Sequence, residues 1–169
     1  MEDIEGNVWK FGDHISTDLI ISGKYKFETL DMSKLSEHAM EGADPEFSEK
    51  VNEGDIIVAG ENCGCGSSRE QAPLVLRELG IGLIISKFFA RIFFRNAINV
   101  GLPIIESEEI PDEVEEGDRL RADLKEGKVK NVTSGKEYDV EAMPDFLLSI
   151  LEDGGLVEQY KEKKEFQWE

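Results

Sequence analysis

A short apolar run, Asp55-Ile56-Ile57-Val58-Ala59, gives way to a glycine-rich turn over residues 60–66 and then to a helical pattern that stops at Gly80. This unit constrains the fold more than any other stretch, because a brief β-branched run suits a strand buried on both faces. Two more apolar runs, Leu83-Ile84-Ile85 and Leu102-Pro103-Ile104-Ile105, flank an aromatic and aliphatic helical pattern over residues 88–99. The order β-α-β-α-β predicts an α/β fold with a parallel sheet, since parallel strands need crossover connections. It also places the first turn and its helix start at the carboxyl ends of the strands, where small anionic ligands bind.

The flanking segments are less regular. Residues 8–25 read as a strand, a polar turn at Gly12-Asp13-His14 and a second apolar stretch, Leu19-Ile20-Ile21. Residues 30–40 predict a short helix, broken at Gly42-Ala43-Asp44-Pro45 because proline cannot extend it. Beyond Ile110, charged alternating segments with turns at Glu126-Gly127 and Ser134-Gly135 predict antiparallel strands. A helix begins over residues 146–151, Gly154-Gly155 interrupts it, and residues 156–164 predict a terminal helix whose basic end suits its dipole. No internal repeat or linker divides the chain. Its 169 residues, 40% of them hydrophobic, suit one core, so residues 1–169 are expected to form a single domain.

Thirty-seven Asp and Glu against 19 Lys and Arg give a net charge of −18, which repels phosphate backbones and anionic headgroups. Nucleic acid and membrane partners are excluded on that ground. A solvated acidic surface, in a halophilic or thermophilic source, accounts for the charge, and a basic partner chain is the alternative. No apolar run approaches the roughly 18 residues of a transmembrane helix, and Met1-Glu2-Asp3-Ile4-Glu5 lacks the basic start of a signal peptide, so a cytoplasmic protein is expected. Cys63 and Cys65 are the only cysteines, and in an extended segment they point to opposite faces, as free thiols. An iron–sulfur cluster needs about three or four thiolates, and a structural zinc site about four ligands. With His14 and His38 the candidates remain too few and too scattered, so no metal is expected on this chain.

The chemistry is concentrated in Asn62-Cys63-Gly64-Cys65-Gly66-Ser67-Ser68-Arg69-Glu70, where a strand enters a helix. Glycines let the backbone approach a ligand, a helix start offers unsatisfied N–H groups, and an arginine grips a carboxylate with two parallel hydrogen bonds. Neither the Gly-Lys-Ser/Thr ending of a phosphate loop nor the third glycine of a dinucleotide fingerprint is present, and there is no Gly-x-Ser-x-Gly elbow. Two readings of the residues stay open. Either Ser67 or Ser68 caps a helix, with Glu70 or Gln71 completing a capping box and Arg69 pairing with a carboxylate, or the group binds a small anion.

The heptapeptide Gly64-Cys65-Gly66-Ser67-Ser68-Arg69-Glu70, followed by Phe89-Ala90-Arg91-Ile92-Phe93-Phe94-Arg95-Asn96-Ala97-Ile98-Asn99, resembles the signature of the small subunits of isopropylmalate isomerase and homoaconitase, in the aconitase superfamily. Val8-Trp9-Lys10-Phe11-Gly12, Ser16-Thr17-Asp18 and Gly154-Gly155-Leu156 agree with it, so the likeness spans nearly the whole chain. It implies a swivelling β/β/α domain like the fourth, C-terminal domain of aconitase, docked on a large subunit that holds a [4Fe–4S] cluster. It further implies a hydro-lyase acting on a small hydroxy di- or tricarboxylate. Ser67 would be the base that removes a carbon-bound proton, its alkoxide stabilised by neighbouring N–H groups, while the partner's iron acts as a Lewis acid. Arg69, Ser68 and Gly66 would bind a substrate carboxylate, with Asp18 and Thr17 as supporting polar groups.

Two departures from the family stand out. Position 63 is commonly Phe in these proteins and is Cys63 here, which changes the packing behind the loop. The segment that reads the variable substituent of the substrate, Tyr25-Lys26-Phe27-Glu28-Thr29, lacks the arginine of homoaconitase-like loops and is more polar than isopropylmalate-type loops. Lys24 or Lys26 suits a carboxylate, Phe27 suits an isopropyl group and Glu28 repels acids; a mixed solvated loop is the plain alternative. Arg91, Arg95, Asn96 and Asn99 share a helix face, to hold the loop, meet the partner chain or balance nearby acids. The resemblance leads first to 3-isopropylmalate dehydratase, then to homoaconitase or a dimethylmalate-type dehydratase. A non-catalytic assembly module and a free-standing anion-binding domain are the competing classes.

Overall fold

The computed structural model describes residues 1–163, so the expected helix end at Lys164 lies outside the described residues. Its strands are β1 (Ile4–Lys10), β2 (Ile56–Val58), β3 (Leu83–Ser86), β4 (Ile104–Glu106), β5 (Arg119–Asp123), β6 (Lys128–Asn131) and β7 (Glu137–Asp139). They form one sheet in the order β4-β3-β2-β1-β5-β6-β7. β1 to β4 are parallel to their neighbours, and β5 joins β1 antiparallel before the β5-β6-β7 meander. Burial follows from this division. Every residue of β2 and β3 is buried, whereas β5, β6 and β7 alternate buried and exposed. The parallel half is covered on both faces and the antiparallel half on one.

The helix Gln71–Glu78 connects β2 to β3, and Arg91–Asn99 connects β3 to β4. Both end in the same way. The amide of Gly80 donates to Arg77 O and that of Ile81 to Leu76 O; the amide of Gly101 donates to Ile98 O and that of Leu102 to Ala97 O. This pair of hydrogen bonds turns the chain sharply and requires a left-handed residue, supplied by Gly80 at φ +88° and Gly101 at φ +82°.

Four local expectations are corrected. The first helix starts at Gln71 with Glu70 at its cap position and no side-chain cap, so Ser67 and Ser68 lie ahead of it. The second starts at Arg91, because Phe88 and Ala90 bond across to Cys63 before the chain coils. The apolar stretch 19–21 is not separate from the turn before it: Leu19 and Ile20 belong to a helical turn, Thr17–Ile20, capped by the Ser16 side chain, and Ile21 ends it. The segment expected as a specificity loop is a short helix, Gly23–Glu28. Among the described residues no helix is long and apolar enough to cross a membrane.

Ion pairs lace the outer edges. Glu5 accepts from Arg119 at 2.7 Å and Arg121 at 2.9 Å across the β1–β5 seam, Glu113 meets Lys136 and Tyr138, and Asp153 meets Lys163 at 2.6 Å. These bonds, led by Arg119, Lys136 and Lys163 respectively, hold the three carboxyls below the usual carboxylate range. A depressed folded-state pKa adds stability that is complete above the unfolded value and is lost as pH falls through the folded one. The urea midpoint, followed by circular dichroism, is therefore expected to be flat above about pH 5 and to fall below about pH 4.

Candidate active site

The loop between β2 and the Gln71–Glu78 helix is stitched to the strand-to-helix segment that follows β1. The Gly64 amide donates to Ile15 O at 2.7 Å, the Thr17 amide to Cys65 O at 2.8 Å, and Thr17 Oγ1 to Ser67 O at 2.8 Å. Thr17 is 3% exposed, so its hydroxyl acts from inside the fold and fixes the backbone of Ser67 rather than facing solvent. Gly64, at φ +81°, passes so close to the second helix that a Cβ there would lie 2.1 Å from Phe93 Cγ. The loop is thereby pressed against the Arg91–Asn99 helix.

Between loop and helix opens a cleft of about 230 Å³, lined by Gly66, Ser67, Ser68 and Arg69 on one side and by Arg91, Ile92 and Asn96 on the other. Ser67 and Ser68 are exposed, and among the described residues neither hydroxyl makes a hydrogen bond. Neither histidine reaches them: His14 Nδ1 lies against Asn62 and His38 Nδ1 against Glu41. A serine–histidine pair is therefore not the chemistry of this cleft.

Arg69 and Asp18, both expected to face a ligand, meet each other. Arg69 Nη1 donates to Asp18 Oδ1 and to Ile21 O, each at 2.9 Å. The Arg69 guanidinium, and after it the Gly23 amide, keeps the Asp18 carboxyl below its usual range. Asp18 thus aims the arginine, and Gly23 leaves room for it, since a Cβ there would come within 3.3 Å of Arg69 Nη2.

The segment 25–29 borders this pair through Gly23. Tyr25 stacks on the ring of His38, and its hydroxyl lies 3.1 Å from Glu41 Oε1. Phe27 is 88% exposed and Glu28 is exposed, while Thr29 Oγ1 accepts from the Asp31 amide. The side chain of Lys26 lies outside the described part of the structure. Sequence reasoning missed His38 and Glu41. Their spacing of three residues was readable as a helix-face pair, but their contact with Tyr25 is tertiary.

Arg91, Arg95 and Asn99 form an exposed stripe on the second helix, whose Phe93, Ala97 and Ile98 are buried. Among the described residues, neither Arg91 nor Arg95 has a side-chain ion pair or hydrogen bond, so they do not balance nearby acids. Beside them Ile92 is 54% and Phe88 43% exposed. Cys63 is buried, and burial followed by the charge of Cys65 pushes its thiol up to about 12. A thiol so reluctant to ionise is a poor metal ligand, and with two cysteines in the chain these residues do not fit an iron–sulfur cluster.

A parallel sheet that delivers a Gly-x-Gly-Ser-Ser-Arg loop to a cleft beneath a second helix defines a class of protein. Residues 14–109 match the aconitase C-terminal domain, and the chain belongs to that family. Within it, the chain is 53% identical over 157 residues to the methanogen homoaconitase small subunit of Methanothermobacter thermautotrophicus, covering 93% of this chain and 90% of that protein. It is 52% identical over 158 residues to 3-isopropylmalate dehydratase small subunit 1 of Methanopyrus kandleri, covering 94% and 92%. A crystal structure of 3-isopropylmalate dehydratase (leuD) from Methanocaldococcus jannaschii superposes with a TM-score of 0.90 at 45% identity, covering 96% of each chain. The expected α/β fold of the aconitase C-terminal domain is borne out.

Proposed function

We propose that residues 1–169 form one aconitase-type swivelling domain that serves, in the cytoplasm, as the small subunit of 3-isopropylmalate dehydratase. The enzyme would interconvert 2- and 3-isopropylmalate by dehydration and rehydration, in leucine biosynthesis. The observation that carries this reading is the Ser67 hydroxyl, without a hydrogen bond among the described residues, in a cleft between Arg69 and Arg91, on a backbone pinned by Thr17.

In this mechanism Arg69, with one nitrogen held by Asp18 and Ile21, grips a substrate carboxylate through its remaining N–H groups. Ser68 and Gly66 line the same side of the cleft and complete the carboxylate site. Ser67 Oγ takes the carbon-bound proton beside that carboxylate, and the C–H electron pair becomes the new C=C bond as hydroxide leaves the neighbouring carbon. Hydration at the other carbon, with Ser67 returning the proton, gives the isomer. A serine base needs a strongly polarised surrounding, which the two arginines and the loop amides supply. The [4Fe–4S] cluster, and with it the departure of hydroxide, belongs in this proposal to a larger partner subunit. That partner would cover the cleft against Phe88, Ile92, Arg91 and Arg95, where exposed apolar surface adjoins cations that are unpaired among the described residues.

The M. thermautotrophicus relative favours a homoaconitase reading, but residues 25–29 hold no arginine for a further carboxylate, and exposed Phe27 suits an isopropyl group. Adding the chain to the anaerobically purified large subunit, and comparing 3-isopropylmalate with homoaconitate and dimethylmalate, is expected to give turnover that saturates with added chain and ranks 3-isopropylmalate first. Homoaconitate in first place would move the assignment to homoaconitase, and a stable assembly inactive on every acid would sink the hydro-lyase reading. Arg69→Lys keeps the charge but loses the fork, and is expected to lower kcat/KM roughly 30- to 100-fold. Steady-state kinetics with unchanged KM and kcat would remove Arg69 from the carboxylate site.

A further inference from the structure

We propose that His38 and Glu41 are positioning residues for substrate selection: they clamp Tyr25 and thereby set where the Gly23–Glu28 helix presents Phe27. This inference rests on the hydro-lyase reading and assigns a part of the selectivity to residues outside the cleft.

A helix of six residues has little stability of its own, so contacts elsewhere must decide its place. Its own side chains bury little, with Lys24, Phe27 and Glu28 all exposed. Two attachments hold it. At its start the Gly23 backbone lies against the Arg69 guanidinium, where a Cβ would come within 3.3 Å of Nη2, and Asp18 holds that same guanidinium. In its middle the Tyr25 ring lies flat on His38, with centroids 3.7 Å apart and planes 5° apart, and Lys24 Nζ stands 4.7 Å from the Tyr25 ring centre.

Glu41 closes the clamp with both oxygens, Oε1 to the Tyr25 hydroxyl at 3.1 Å and Oε2 to His38 Nδ1 at 3.0 Å. The segment that carries His38 and Glu41 is anchored in the core by Leu35, Ala39 and Met40, and the Met40 amide donates to Ile20 O at 2.8 Å. An element anchored in the core thus reaches the substrate-reading helix through Tyr25, while the other end of that helix packs on the arginine that grips the shared carboxylate. The spacing between Arg69, which every substrate would use, and Phe27, which reads the variable group, is set by these two ties. Contacts of this kind select substrates only when held within a fraction of an ångström.

The test pairs kinetics of the two-chain assembly with amide hydrogen exchange of the isolated chain, for wild type, Glu41→Ala, His38→Ala and the conservative variants Glu41→Gln and His38→Phe. In the alanine variants, amides of residues 23–29 are expected to exchange faster, and KM for 3-isopropylmalate to rise roughly tenfold with kcat within about twofold, as for loss of uniform binding. 3-Methylmalate, which keeps both carboxylates and the hydroxyl but has little substituent to place, is expected to lose less. Glu41→Gln keeps the acceptor for Tyr25 and His38→Phe keeps the stack, so each should restore part of the selectivity. Unchanged exchange over residues 23–29 would overturn the clamp itself. Faster exchange with kcat falling as much as 1/KM, or with both acids losing equally, would reduce it to a structural contact. A wild-type assembly that turns over neither acid would overturn the hydro-lyase reading and the selective role together, and exchange would still report separately whether the pair holds the helix.

Discussion

Ser67→Ala is expected to lower kcat of the two-chain assembly by roughly 10³-fold or more, because it removes the group that takes the proton and leaves no titratable neighbour bonded in its place. The same variant should unfold at an unchanged urea concentration. That second expectation separates two readings of the motif. If Ser67 capped the following helix, alanine would cost about 0.5–2 kcal/mol of stability. The helix instead begins at Gln71 without a side-chain cap, and the Ser67 hydroxyl is exposed and unbonded among the described residues. A stability loss with activity retained would return Ser67 to the role of a cap.

Gly64→Ala is expected to be the most damaging single methyl in the loop. The new Cβ would stand 2.1 Å from Phe93 Cγ and 2.4 Å from Phe93 Cβ, and the position sits at φ +81°, which an L side chain rarely adopts. Phe93 is buried behind the cleft and cannot swing aside without opening the core. Overpacking and backbone strain together are expected to cost about 3–5 kcal/mol in urea unfolding, with turnover of the assembly lost as the Ser67 loop is displaced. Gly64→Ala combined with Phe93→Ala should recover part of the loss in the loop, since the ring contacts are removed while the contact with the Cβ of residue 93 and the strain at φ remain; no recovery would mean that the ring of Phe93 is not what fixes the loop.

The parallel half of the sheet was legible because β2, β3 and β4 are short apolar runs, each entered shortly after a glycine (Gly54, Gly82, Gly101), a pattern that strands covered on both faces produce. The meander was legible from its turns at Gly127 and Gly135, both at positive φ. β1 starting at Ile4 and pairing with β5 was not, since a join between residues more than a hundred positions apart leaves no local trace. Ser67 and Ser68 satisfied the pattern of a helix cap, yet the Thr17 bond to Ser67 O carries the chain past both before it coils. The short helix at residues 23–28 escaped for the same reason, being held by the packing of Gly23 on Arg69 and by the Tyr25 stack rather than by its own composition.

The site divides along the same line. Ser67, Ser68, Arg69 and Gly66 stand out in one segment as a candidate anion site, their separate roles coming from the family resemblance, and the structure gathers them in one cleft with Arg91 and Asn96. Asp18 and Thr17 are expected as supporting polar groups, and the groups they support, Arg69 and the Ser67 carbonyl, lie about fifty residues away, contacts that only the folded chain reveals.

The measurement that bears most directly on the proposed role of Ser67 is the rate at which the unsaturated acid appears, by ultraviolet absorbance, from 3-isopropylmalate carrying protium or deuterium at the carbon that loses its proton. It would be made with each chain alone, with both chains, and with the Ser67→Ala chain in the assembly. Product that forms only with both chains, more slowly from the deuterated acid, and not detectably with Ser67→Ala, is the expected result. Product formed by the Ser67→Ala assembly at close to the wild-type rate would mean that the proton is taken by another group.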